Sequence, residues 1–180
     1  PAIALEMDLN PMEVGLLLTL HSLGSAFGYL PSGLLADSIR NRGNFLMTTF
    51  WWVGLGYLLA SWAPEFWSLA LLFALAGCGD AAWHPMATAI LVQSEPQNRG
   101  QALGLHAIGG TLSAVVGPVI VGFLLASMTW RETIHWIVLP PLLAGILFFR
   151  IRNWVPEQTP LKAFAKENFQ HLWRNWAQKR

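Results

Sequence analysis

Five long apolar stretches restrict what this chain can fold into. They run over about residues 14–36, 44–62, 67–92, 102–127 and 133–150. Each approaches or exceeds the roughly 20 residues an α-helix needs to cross the hydrocarbon core of a bilayer. Short polar connections at 37–43, 63–66, 93–101 and 128–132 separate them. Hydrophobic residues make up 54% of the chain and charged residues only 12%, about half the usual share in a soluble domain. So few charges cannot supply the polar surface a soluble domain of this size needs. Pro31, Pro85, Pro118 and Pro140 fall within the stretches; membrane helices tolerate them because neighbouring helices satisfy the freed backbone groups. The expected fold is an all-α membrane protein, a polytopic bundle of transmembrane helices.

Charge sets the expected orientation. Arg40, Arg42 and Arg99 follow the first and third stretches, and Arg150, Arg152, Lys162, Lys166, Arg174, Lys179 and Arg180 follow the fifth. Of the eleven basic residues only Arg131 falls on the other side. Basic residues collect in the cytoplasm, so 37–43, 93–101 and the tail 151–180 are expected there, in a plasma or inner membrane. Residues 1–13 then form an outer loop. Trp62, Trp67, Trp130 and Trp136 mark the outer boundary and Trp154, Trp173 and Trp176 the inner one, as an aromatic belt does. From Leu161 onward, Phe164, Ala165, Phe169, Leu172, Trp173 and Trp176 recur at helical spacing between basic residues. This predicts an amphipathic helix on the cytoplasmic membrane surface, with a partner-binding helix as the rival reading.

Several classes are excluded. A net charge of +1 gives no field to draw nucleic acid. Cys78 is the only cysteine and sits in an apolar stretch, where it packs as a small residue. The five histidines lack zinc-ligand spacing, and no cofactor is implied. The chain has no Gly-Lys-Ser/Thr phosphate loop, no Gly-x-Ser-x-Gly elbow and no His-Glu-x-x-His.

The first and fourth stretches carry similar strings. Leu20-His21-Ser22-Leu23-Gly24 matches Leu105-His106-Ala107-Ile108-Gly109, and Leu34-Leu35-Ala36 matches Leu124-Leu125-Ala126. The two stretches cross the membrane in opposite directions, which makes an inverted repeat of the kind transporters use.

Gly33-Leu34-Leu35-Ala36-Asp37-Ser38-Ile39-Arg40-Asn41-Arg42 resembles the loop between helices two and three of the major facilitator superfamily. Gly33, Asp37 and Arg42 match its pattern, while Ser38 replaces a basic residue and Arg40 stands where Gly is typical. Gly77-Cys78-Gly79-Asp80-Ala81-Ala82-Trp83-His84-Pro85 resembles the fourth helix of the fosmidomycin-resistance-like branch, with Asp80 in place of a small residue and Met86 in place of an acid. Gly109-Gly110 and Ser113-x-x-x-Gly117-Pro118-x-x-x-Gly122 resemble the fifth-helix antiporter motif, with Ser113 and Val121 off-pattern. The resemblance implies that the five stretches are helices two to six of a twelve-helix fold, a partial six-helix half. The chain, which starts at Pro1, is then expected to lack the first helix and the second half.

Asp80 is the only acid deep in any stretch, and an ionised group there costs on the order of 3 kcal/mol. His84 follows one turn later on the same helix face. The pair could take up and release a proton, because burial favours the protonated acid and histidine titrates near neutrality. The bland alternatives are an ion pair between Asp80 and a missing helix, and a hydrogen bond from His84 to a carbonyl loosened by Pro85. His21 and His106 occupy equivalent repeat positions, as cavity groups or as helix–helix hydrogen bonds; His135 is expected at the interface. Gly33, Asp37 and Arg42 form a candidate gating loop, or a solvated turn that fixes topology. Gly109, Gly110, Gly117, Pro118 and Gly122 would allow close packing and a local bend.

The expected activity is secondary transport, a proton-coupled efflux of drugs or toxic small molecules by alternating access. The expected partners are the lipid bilayer, a small-molecule substrate, the proton and the missing helices. The rivals are uptake of a sugar, organic acid or phosphorylated metabolite, a receptor or scaffold without flux, and a membrane enzyme using Asp80 and His84.

Overall fold

The computed structural model describes residues 2–157, so the amphipathic segment expected from Leu161 lies outside the described residues. The elements are α1 (Ala2–Glu6), α2 (Pro11–Ser38), α3 (Arg42–Ala60), α4 (Phe66–Ser94), α5 (Arg99–Leu125), α6 (Trp130–Ile137) and α7 (Leu139–Ile151), closed by a 3-10 turn at Arg152–Trp154. Among the described residues there is no strand. Every long apolar stretch is helical, as its composition requires where backbone groups must be satisfied internally.

Local chemistry moves the boundaries. The α2 helix starts at Pro11 rather than near 14 because Asn10 and Glu13 form a capping box with Pro at the first helical position. The segment expected as a plain outer loop contains α1, after which the chain turns at Asp8, whose φ of 51° is left-handed. The fifth stretch is two helices instead of one. A Thr129–Glu132 capping box starts α6 at Trp130, and the helix breaks at Val138 because Pro140 and Pro141 carry no N–H to continue it.

Among the described residues, four segments are long and apolar enough to cross a membrane: Pro11–Ser38, Phe66–Ser94, Arg99–Leu125 and Trp130–Trp154. The 19-residue α3 is not among them, because Arg42, Asn44, Thr48 and Thr49 dilute its first half. It lies inside the bundle all the same, packed between α4 and α7.

The centre of the bundle is α4, which packs along α2 on one side and α3 on the other. Small residues on α2 make its approach to α4 possible. A Cβ on Gly24 would collide with the backbone of Ala74, and one on Gly28 with the backbone of Cys78. Ser25 Oγ lies 3.2 Å from the Gly77 carbonyl and donates to it across the seam. One apolar cluster joins Leu17, Ala60, Leu69, Ala70, Trp130 and Ile134 at one end; Ala36, Leu46, Met86 and Ala87 join at the other. By contrast, among the described residues α5 has no buried residue and meets only α4 and α6 to any extent.

Gly28→Leu in the full-length protein should therefore lower thermal stability in detergent by about 3 kcal/mol or more, the upper range for overpacking. An unchanged melting temperature would show that the seam has room and is not backbone-to-backbone.

Candidate functional site

Asp80, His84 and His106 line one cleft of about 490 Å³ between α4 and α5, with α3 and α7 closing its back. The aromatic rings of Phe50 and Trp83 and the Ser113 hydroxyl group complete its character. Burial of Asp80 in the helix packing, expected from its place in an apolar stretch, is not what the structure has; the side chain is exposed to this opening. Small residues around it, Gly79, Ala81 and Ala82, take the buried positions instead. His84 and His106 are half-buried. The His106 ring stacks on Trp83 with centroids 5.1 Å apart, and His84 meets Trp83 edge-on at 5.2 Å. On its other contact His84 lies nearly parallel to Tyr29, 6.1 Å away. The cleft thus joins one carboxyl group and two imidazoles to an aromatic wall, a set that can exchange protons and hold a small organic molecule.

His21 does not line that cleft. Its Nε2 hydrogen-bonds the Tyr57 hydroxyl at 2.8 Å, and its ring meets Tyr57 and Phe73. It ties α2, α3 and α4 together, so the two repeat histidines have separate surroundings. His135 Nε2 lies 3.0 Å from Ser61 Oγ, against the ring of Trp62.

The loop motif is held by Arg42, which is 2% exposed. Its Nε donates to the Ala36 carbonyl at 3.0 Å and its Nη1 to Gln93 Oε1 at 2.7 Å. One arginine therefore ties the C-terminal turn of α2 to that of α4, where the carbonyl ends of helices favour a cation. Burial lowers the Arg42 pKa, and the Asp37 carboxylate opposes that shift. Among the described residues Arg42 makes no ion pair with Asp37. Gly33 and Asp37 line a second groove, beside Pro85 and Thr88.

No described residue packs against the α5 glycines. A Cβ on Gly109, Gly110, Gly117 or Gly122 would find no atom within 4 Å, and Pro118 is exposed within an unbroken α5. Among the described residues, Gly24 and Gly28 make the close approach of α2 to α4, and Gly43 and Gly77 also meet backbone of other helices or turns. The four-residue spacing of Gly24 and Gly28 was the available signal. Tyr29, Phe50 and Trp83 are further site residues that sequence reasoning passes over; only the Trp before His84 hinted at an aromatic wall.

Comparison with known proteins identifies the family. The family model for the Major Facilitator Superfamily matches residues 1–179, and the chain belongs to that family of transporters, not to an enzyme family. A probable 4-methylmuconolactone transporter of Cupriavidus pinatubonensis is 28% identical over 83% of this chain and 36% of its own length. A probable sugar efflux transporter of Helicobacter acinonychis is 27% identical over 87% of this chain and 40% of its own. The fosmidomycin resistance protein of Escherichia coli is 23% identical over 88% and 38%. The chain thus spans about four-tenths of the length of these relatives. Among solved structures, a peptide transporter in complex with sulfate superposes with a TM-score of 0.74 over 95% of this chain and 37% of that one, at 14% identity. The fold is a partial half of the major facilitator fold.

The Arg42 anchor is open to a direct test. Arg42→Ala should cost about 2 kcal/mol, the scale of hydrogen bonds to a charged group, read as a lower melting temperature of the full-length protein. A variant as stable as the parent would show that the loop does not hold α2 to α4.

Proposed function

We propose that this chain is most of one half of a secondary transporter that exports a small organic molecule in exchange for protons. The observation that carries the reading is the assembly of Asp80, His84 and His106 on one cleft at mid-helix depth. A carboxylate at that depth is costly in a bilayer, on the order of 3 kcal/mol. Either a proton or a bound substrate relieves that cost, so the two compete for Asp80. Competition at one site, exposed alternately to the two sides of the membrane, is sufficient for exchange. His84, one turn from Asp80, supplies a second proton acceptor.

Export is supported by the relatives named for sugar efflux and fosmidomycin resistance. The side bearing Arg40, Arg42 and Arg99 is the cytoplasmic one, because basic residues collect there. On this reading the α5 glycines face helices outside this chain and permit the rocking motion.

The test uses the full-length protein in inside-out vesicles with an acidified lumen and a pH-sensitive dye. Candidate compounds should provoke proton release from the lumen, and Asp80→Asn should reduce that release at least about tenfold, the effect of 1.4 kcal/mol. Full coupled exchange by a normally inserted Asp80→Asn protein would remove Asp80 from the mechanism.

A further inference from the structure

The cleft holding Asp80 and the groove holding Asp37 share one residue, His84. The groove has a volume of about 830 Å³ and is lined by Tyr29, Gly33 and Asp37 on α2 and by His84, Pro85 and Thr88 on α4. Tyr29, Gly33 and Asp37 are spaced by four and share one face of α2; Asp80, His84 and Thr88 do the same on α4. At 1.5 Å per residue, Asp37 lies ~12 Å along the helix from Tyr29, and His84 ~6 Å from Asp80. Gly33 keeps the middle of the groove open: the nearest atom to a Cβ built there is Pro85 Cβ, 4.0 Å away. The Tyr29 ring, nearly parallel to His84, holds the imidazole at the junction.

We infer that the groove from Asp37 past Gly33 to Tyr29 is the cytoplasmic proton route to Asp80, with His84 as the transfer station. This deepens the proton-coupled reading above and rests on it. Protonated Asp80 gives its proton through cleft water to an imidazole nitrogen of His84. The imidazolium then releases a proton to water in the groove, leaving a carboxylate at Asp80 and a neutral ring at His84. The proton leaves past Gly33 to the mouth, where the Asp37 carboxylate draws cations. The titratable groups that face His84 are Asp80 on its own helix, Tyr29 and Asp37 on α2, and His106 on α5. The linings that α3 and α7 give to the cleft are Thr49, Phe50, Val53 and Pro141, none of which titrates.

The proton itself is the probe. Full-length protein in inside-out vesicles is given a rapid external pH step while the carboxylic C=O infrared band of Asp80, identified by its loss in Asp80→Asn, is followed in time. Gly33→Leu and Asp37→Asn should each slow the band's response at least about fivefold, and Gly33→Ala should leave it within about a factor of two. In parallel, His84→Cys in a Cys78→Ser background should react with a small cationic thiosulfonate added on the Asp37 side, and Gly33→Leu should suppress that reaction. Absence of any band lost in Asp80→Asn would overturn the proton-coupled reading and the route with it. A band that responds at the parent rate in Gly33→Leu, with the thiol introduced by His84→Cys still labelled, would overturn the route alone.

Discussion

The rest of the bundle depends on the close approach of α2 and α4. In lipid, apolar side chains gain little by leaving one apolar environment for another, so helices associate through tight packing and hydrogen bonds. Gly24 and Gly28 on α2 meet the bare backbone at Ala74 and Cys78, and Ser25 bonds the Gly77 carbonyl across the contact. That seam sets the position and rotation of α4, and α4 carries both Asp80 and His84. It also brings Tyr29 against His84, which would not occur with a side chain at Gly28.

Two arginines secure opposite ends of the bundle in the same way. Arg42 reaches the carbonyl end of α2 and the Gln93 side chain near the end of α4. Arg131, at the opposite end, donates to the carbonyl groups of Ser61 and Ala63 just past α3 and pairs with Glu6 of α1 at 3.0 Å. Each places a cation where a helix presents unpaired carbonyl groups. Between these anchors lies the cleft that gathers Asp80, His84 and His106, where α4 meets α5.

Much of the fold was legible from composition and punctuation. Apolar runs of membrane length, the basic side and the Asp-bearing loop motif together implied a partial major facilitator half, and the family match agrees. Element ends were less legible because they depend on single side-chain bonds, as at Asn10 and Thr129, and on the Pro140-Pro141 break. The site was partly legible. A lone acid in an apolar helix with a histidine one turn on is visible in any sequence. That His106 joins them and His21 does not could not be read, because both occupy the same place in the repeat and differ only in what packs against them.

The sequence by itself determined that these segments are helices in a membrane and which residues carry charge into it, because length, hydropathy and capping act within a few turns of one chain segment. Only the tertiary structure decided which glycines form the α2–α4 seam, and which histidines share a cleft with Asp80. Those outcomes depend on the rotation of one helix against another. A shift of one residue turns a helix by about 100°, and no local pattern records which neighbour will then be there.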